Sequence, residues 1–329
     1  MRVIGLMSGT SADGVDAALV EWPEGDAPRP FRLVAQREDP FPPELQQRIH
    51  TLAAGRTAPG ETLRELAALD VALAERFAES ARAVADQAGV ALSEVTAIAS
   101  HGQTVAHHPE LHATLQIGCP SLIAERTGVT TVADFRPRDV AAGGEGAPLA
   151  PFFHYAAFAD ANEGRLVLNL GGIANVTWLP PGADPDDVLA FDVGPANSLI
   201  DGVVSLGTRG AERMDAGGRR AQRGRVNDRL LADLLEDDFL KMPPPKSTGR
   251  ERYGTEQAEA LLARWPDLAL DDLVATLLAF SAEAIGHACR EHLPGRARVA
   301  RLLVGGGGAR NPAFLKALGQ AVPGAVVEP

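Results

Sequence analysis

The chain is short of cysteine, lysine and long apolar runs, and each shortage removes a class of protein from consideration. Two cysteines among 329 residues, Cys119 and Cys289, with no Cys-x-x-Cys pair, exclude a disulfide framework and a thiolate zinc site and point to a reducing compartment. Lysine occurs only at positions 241, 246 and 316, and the 31 basic residues are outnumbered by 43 acidic ones, for a formal net charge of −12. That balance argues against a nucleic-acid partner, which calls for positive charge concentrated on one face. It does not argue against an anionic small ligand, because backbone N–H groups, helix N-termini and a divalent ion supply local positive potential. No apolar stretch approaches the ~20 residues of a membrane span, and the N-terminus turns polar after Met7, so the expectation is a cytoplasmic protein without a membrane partner. Hydrophobic residues at 45% and aperiodic glycine and proline exclude collagen-like and disordered classes. At ~100 to 200 residues per domain, the length predicts two domains.

What the sequence does contain is a recurring pattern of strand, glycine turn and strand. Val3 to Met7 is an apolar run, followed by a Ser/Gly/Thr/Asp cluster and an alternating run, Val15 to Val20. Beyond a Pro-rich loop (Pro23 to Pro30), Thr62 to Ala88 reads as a helix with Leu66, Leu69, Leu73, Phe77 and Val84 on one face, stopped by Gly89. Ala97 to Ser100 is a short strand running into the polar cluster HGQTVAHHP, and a small-residue cluster at Ala141 marks a domain change, giving domains 1–141 and 142–329. Arg165 to Leu170, Gly171-Gly172 and Ile173 to Leu179 then repeat the opening hairpin about half a chain later, which suggests a duplicated architecture. Leu189 to Val193 is a strand that exits at Gly194-Pro195, Asp271 to His292 is a helix, and Ala300 to Val304 is a strand leading through four glycines into a helical segment at Pro312. The whole reads as α/β.

Several of these turns suit particular chemistry. In MSGTSADGVD, glycines let a ligand approach the backbone, successive N–H and hydroxyl groups suit phosphate oxygens, and Asp13 could hold a hydrated divalent ion; an ordinary hairpin turn is the alternative. NLGGIANVT has the same character, and LLVGGGGARNP offers side-chain-free backbone against which a nucleoside could lie, or a plain strand-to-helix turn. Common nucleotide fingerprints are absent: reading GxGxxG from Gly305 puts Arg310 at the third glycine, and no GxxxxGK[ST] occurs. Four histidines (His101, His107, His108, His112) cluster, but Pro109 interrupts the helical spacing of His108 and His112, so a polar loop at His101 to Gln103 is expected rather than a metal site. Asp192, leaving an apolar strand just before Gly-Pro, is either a general base pointed into a ligand site or a cap on the Gly194 N–H. Lys246 and Arg250 either meet an anionic substrate or follow the Pro-rich PPPK stretch into a solvated helix start.

GLMSGTSADGVDAALV, ASHGQTVAHHP, ADFRPRDVAAGGEGAPLAP, LVLNLGGIANVT, FDVGPANSLID, PPPKSTGRE and VGGGGARNP, in this order, span nearly the whole chain and resemble the anhydro-N-acetylmuramic acid kinases. That family belongs to the acetate-kinase, sugar-kinase, heat-shock and actin superfamily, so the resemblance implies two ribonuclease-H-like domains flanking an ATP cleft. It implies ATP and Mg2+ as cofactors, the ion held through water by Asp13. Gly9, Thr10, Ser11, Ala12, Asp13, Gly14, Val15 and Asp16 would bind ATP phosphates, as would Asn169, Gly171 and Gly172 of the second hairpin. Gly305, Gly306, Gly307 and Gly308 would contact the nucleoside. His101, Gln103, Arg136, Asp139 and Asn197 would face the amino-sugar substrate, and Asp192 matches the catalytic base.

The implied reaction is ATP-dependent opening of the internal bridge of 1,6-anhydro-N-acetylmuramic acid to N-acetylmuramic acid 6-phosphate, in cell-wall sugar recycling. Relatives are often dimeric, which adds a homodimer to the expectation. Departures from the family pattern are Ala12 for Met, Val193 for Thr and Glu145 for Gln, the last adding negative charge beside the site of an anionic sugar. Relatives also continue past GGGGARNP into a further terminal helix, whereas this sequence stops at Pro329. Two rival readings remain at this stage: another sugar or carboxylate kinase of the superfamily, and a nucleotide-binding regulator without turnover.

Overall fold

The computed structural model describes residues 1–9, 11–23 and 31–329; Thr10 and the Pro-rich stretch 24–30 lie outside the described residues. The chain divides into two compact units, Met1–Leu149 and Ala150–Pro329. This division lies beyond the 141/142 boundary expected from the sequence, because the loop after residue 141 is tied back to the helix before it. The Gly146 N–H donates to Asp139 Oδ2 and Arg136 Nη1 donates to the Gly146 carbonyl.

Unit 1 contains β1 (Arg2–Ser8), β2 (Gly14–Glu21), β3 (Arg32–Pro40), α1 (Pro43–Ala53), α2 (Thr62–Ala88), β4 (Ala97–His108), β5 (Ala113–Ile117), α3 (Pro120–Thr127), β6 (Thr131–Val132) and α4 (Phe135–Ala141). β1, β2 and β3 form an antiparallel meander, and β4 joins β1 in parallel. The first part of β4 pairs in parallel with β6 and the second part pairs antiparallel with β5. α2 lies on this sheet through Leu69, Leu73, Phe77 and Val84, all buried, and ends at Gly89, whose φ of 66° supplies the left-handed C-cap.

Unit 2 repeats the plan. It contains α5 (Ala150–Phe158), β7 (Arg165–Leu170), β8 (Ile173–Leu179), β9 (Leu189–Pro195), α6 (Asn197–Gly207), α7 (Arg219–Arg223), α8 (Asp228–Leu235), α9 (Asp238–Lys241), α10 (Arg250–Tyr253), α11 (Thr255–Arg264), α12 (Leu270–Glu291), β10 (Arg301–Gly305), α13 (Pro312–Ala321) and β11 (Val326–Glu328). The sheet order is β11-β10-β7-β8-β9: β7, β8 and β9 are antiparallel, and β10 and β11 run parallel to β7. In each unit, then, a three-stranded meander extends through its first strand into parallel strands. That shared order is the ribonuclease-H-like α/β topology, present twice.

Two sequence expectations are corrected here. His101 to Gln103 do not form a loop but lie inside β4, because Gly102, at φ 71°, absorbs a bulge that gives β4 one residue more than β1 between the Leu6–Ser100 and Ser8–Gln103 pairs. And α12 is long and apolar enough, by length and composition, to cross a membrane. Most of it is buried instead in the core of unit 2, where Leu273, Leu277, Phe280 and Ile285 pack with Trp178 and Phe314. Both cysteines are free, and burial pushes the Cys289 thiol up to about 12, so it is inert packing.

Because Leu73 is fully buried under the sheet of unit 1, Leu73→Ala is expected to cost about 2 to 5 kcal/mol in urea unfolding followed by circular dichroism. A loss below ~0.5 kcal/mol would mean that α2 does not pack as described.

Candidate functional site

The first hairpin turn, between β1 and β2, is bound in place from several sides. Ala12 N–H donates to the Gly9 carbonyl, Gln46 Nε2 to the Ser11 carbonyl and Phe41 N–H to the Asp13 carbonyl. Not all of its residues can face a ligand. Ala12 and Val15 are buried in the core of unit 1, and a Cβ on Gly14 would lie 2.5 Å from the Asp39 carbonyl, so these three serve the fold, leaving at most their backbone for a phosphate. Gly9 is open, Ser11 is exposed and Asp13 is exposed, accepting the Ser11 hydroxyl at 2.9 Å. Burial raises the Asp16 carboxyl above its ordinary range, and the nearby carboxylates of Glu38 and Asp13 add to the effect. A cation beside Asp13 would relieve that repulsion. Among the described residues no three His, Cys, Asp or Glu side chains converge to cage an ion, so the donor set suits a cation that keeps most of its water.

Gln103 was expected to face a sugar. It is 1% exposed, and its amide is committed to the hairpin: Oε1 accepts the Ser8 hydroxyl at 2.7 Å, and Nε2 donates to the carbonyls of Gly9 and Thr104. Both amide donors are used, so Gln103 positions the first turn and has no N–H left for a sugar. His101, Arg136 and Asp139 form a different group. His101 Nδ1 pairs with the Gly102 carbonyl, which leaves Nε2 to accept Arg136 Nε at 2.8 Å as a neutral ring. Burial, helped by the Arg136 charge and opposed by the Gly102 carbonyl, lowers the His101 pKa and keeps the ring neutral. Arg136 is half-buried, burial alone pulls its pKa down, and among the described residues it has no ion pair with a carboxylate. Glu145 is exposed to water near this loop.

The second hairpin has its own anchor. Asn197 Nδ2 donates to the carbonyls of Leu170 (3.0 Å) and Gly171 (2.7 Å), while the N–H groups of Ala196 and Ser198 donate to the Gly172 carbonyl. Asn197 therefore positions the glycine turn, with both amide donors consumed and only its Oδ1 left for a ligand. The four glycines after β10 divide by function. A Cβ on Gly306 would lie 2.5 Å from Asn169 Oδ1, and one on Gly308 would lie 2.6 Å from Leu170 Cβ. Those two are required by packing against β7. Gly305 and Gly307 have nothing within 4 Å, so the fold does not explain them and close approach of a ligand would.

Gly171, Gly172, Gly307 and Gly308 wall a cavity of about 1020 Å³ inside unit 2, completed by Asp215 to Gly217 and by Thr255-Glu256. Its size and its glycine backbone suit a nucleotide. Residues 214–217 were missed by sequence reasoning. The signal was MDAGGRR: Asp215 caps α7 by accepting the N–H groups of Arg220 and Ala221, and Gly217 and Gly218 adopt positive φ to bring the chain there.

Asp192 lies in β9, which runs on through Pro195 rather than ending at Val193. Val193 is the extra residue of a bulge, with Asn175 opposite Asp192 and Ala174 opposite Gly194. The half-buried carboxylate does not cap Gly194; its Oδ2 accepts the Thr248 N–H at 3.0 Å and the Ser247 hydroxyl at 3.1 Å. Lys246, expected to meet a substrate or solvent, is 8% exposed and donates to the carbonyls of Phe239 and Leu240. Burial pushes its pKa down to about 8, against the opposing pull of Asp237. The Arg250 side chain lies outside the described residues.

A sequence-family model described as anhydro-N-acetylmuramic acid kinase matches residues 1–329. Similar curated proteins bear the same name. One from Caldanaerobacter subterraneus subsp. tengcongensis is 41% identical over 98% of this chain and 83% of its own length. Others come from Gloeobacter violaceus, at 44% over 96% and 83%, and Xanthomonas campestris pv. campestris, at 45% over 99% and 84%.

The different surroundings of Gly307 and Gly308 predict a contrast between neighbours. Gly308→Ala is expected to lower stability by about 1 to 3 kcal/mol through overpacking on Leu170, and Gly307→Ala to leave it within ~0.5 kcal/mol, measured by thermal denaturation. Equal effects would show that the loop packs differently.

Proposed function

The chain belongs to the anhydro-N-acetylmuramic acid kinase family, and from that premise we propose that it uses ATP to open and phosphorylate 1,6-anhydro-N-acetylmuramic acid. The observation that carries this reading is the match of the family over all 329 residues, across both units. The product would be N-acetylmuramic acid 6-phosphate, and the physiological setting the cytoplasmic recycling of cell-wall sugars.

The chemistry follows from the residues. Asp192 removes a proton from water, the water oxygen attacks the anomeric carbon, and the bond from that carbon to the bridging 6-oxygen breaks. The 6-oxygen forms its new bond to the γ-phosphorus while the bond from that phosphorus to the β,γ-bridging oxygen breaks, releasing ADP. Phosphoryl transfer thus takes the place of the acid that an inverting glycosidase needs opposite its base. In this reaction one carboxylate is sufficient.

Within unit 1, Gly9, Ser11 and the backbone from Ala12 to Asp16 are the candidates for phosphate oxygens; within unit 2 they are Gly171 and Gly172. The cavity of unit 2 takes the nucleoside, against Gly307, Gly308 and Gly217. Mg2+, when bound beside Asp13, supplies charge neutralisation on the phosphates. Arg136 is the cation suited to the carboxylate of the sugar, being half-buried and held at one edge by His101. Its remaining N–H groups point the reading toward an acidic sugar over a neutral one.

ADP release from Mg-ATP should depend on 1,6-anhydro-N-acetylmuramic acid and not on glucose or N-acetylglucosamine. Asp192→Asn should lower that turnover ~10²- to 10⁴-fold with ATP affinity within about twofold by calorimetry. ADP release stimulated equally by neutral sugars would contradict the substrate assignment, and an active Asn variant would remove Asp192 from the role of base.

A further inference from the structure

The segment after the prolines, residues 246–248, has no part in the chemistry above, yet it is the only source of hydrogen bonds found for the Asp192 carboxylate among the described residues. Ser247 Oγ and the Thr248 N–H both donate to Oδ2, at 3.1 and 3.0 Å. The Asp192 N–H in turn donates to the Lys246 carbonyl at 3.1 Å, so backbone and side chain of Asp192 are gripped by three consecutive residues. Among the described residues no donor reaches Oδ1.

The segment is itself anchored. Lys246 Nζ donates to the Phe239 carbonyl at 2.9 Å and the Leu240 carbonyl at 3.2 Å, at the end of α9, and stands 4.7 Å from the centroid of the Phe239 ring. His292, just past α12, meets the same Leu240 carbonyl through Nε2 at 2.7 Å. An ammonium offers three N–H donors, and two of them go to these carbonyls; His292 Nε2, itself donating to the Leu240 carbonyl, lies 3.4 Å from Nζ. Lys246 is therefore not a spare cation awaiting an anion. It fixes the strand of backbone that carries the two donors.

A carboxylate at a strand position can rotate about its two side-chain torsions, and a base must hold one lone pair toward its water. Two donors on one oxygen remove that freedom, and they leave the other oxygen uncommitted. We propose that Lys246, Ser247 and Thr248 form a clamp that positions Asp192, with Oδ2 held and Oδ1 the oxygen that takes the proton. The clamp rests on the assignment of Asp192 as the base. Ser247 is a positioning residue: it touches neither sugar nor nucleotide in this account, so its loss affects the rate and not the binding of either.

Steady-state kinetics with Mg-ATP and 1,6-anhydro-N-acetylmuramic acid test this with five variants. Ser247→Ala should lower kcat ~10-fold with both KM values within about twofold, and Ser247→Thr, which keeps the hydroxyl, should restore most of it. Added to Asp192→Asn, Ser247→Ala should cost less than about twofold further, because the group it orients is gone. Lys246→Met should lower kcat at least as far as Ser247→Ala while ATP binding persists, which calorimetry reads separately from folding. Wild-type kcat in Ser247→Ala, or the same fold loss with and without Asp192, would overturn the clamp. An Asp192→Asn variant with wild-type turnover would instead overturn the base assignment, and the clamp with it, so the two failures are distinct.

Discussion

Two side-chain amides hold the two glycine turns of this protein in place. A glycine turn between two strands has no side chains to fix it, and its backbone is useful to a phosphate only if the N–H groups stay where they are. Gln103 ties the first turn through Ser8 and Gly9, and Asn197 ties the second through Leu170 and Gly171. The anchors come from different elements, a bulged strand in unit 1 and the start of a helix in unit 2. The duplicated topology therefore reached the same device by separate routes. An amide suits the task because one planar group can donate twice and also accept without bringing in a charge: Asn197 donates to two carbonyls of its turn, and Gln103 donates to Gly9 while accepting from Ser8.

The same constraint explains what could be read from the sequence and what could not. Alternating apolar runs and glycine turns specify the hairpins, and the face of α2 from Leu69 to Val84 specifies the core of unit 1, because these are local patterns with a fixed period. Side-chain direction is not local. Gln103 and Asn197 stand in motifs that the family resemblance assigns to the sugar, and only the positions of Gly9 and Leu170 in space reveal that their amides are already used. Within GGGG, sequence cannot separate Gly306 and Gly308, which pack against β7, from Gly305 and Gly307, which do not. Gly102 hides in a polar stretch that reads as a loop, and its positive φ lets β4 continue. Lys246 reads as a cation for either an anionic substrate or solvent, yet the carbonyls ending α9 draw it inside.

Asp192 shows how the fold converts a common residue into a directed one. The bulge at Val193 turns the chain, and residues 246–248 take hold of one carboxylate oxygen. A paired acid is not needed if the departing oxygen is captured by phosphorus. The account then makes opening of the sugar bridge and phosphoryl transfer two halves of one displacement, with water entering at one carbon and phosphate leaving ATP at the other end of the bridge.

The origin of the oxygens in the product tests that coupling most directly. Turnover in oxygen-18 water, followed by mass spectrometry of the sugar, should give a product heavier than the substrate by one phosphate and one water, with a single labelled oxygen at the anomeric carbon. A product that gains phosphate without water, or that carries the label in the phosphate, would contradict the account, because the bridge would then have been opened by some other nucleophile or cleaved on its other side.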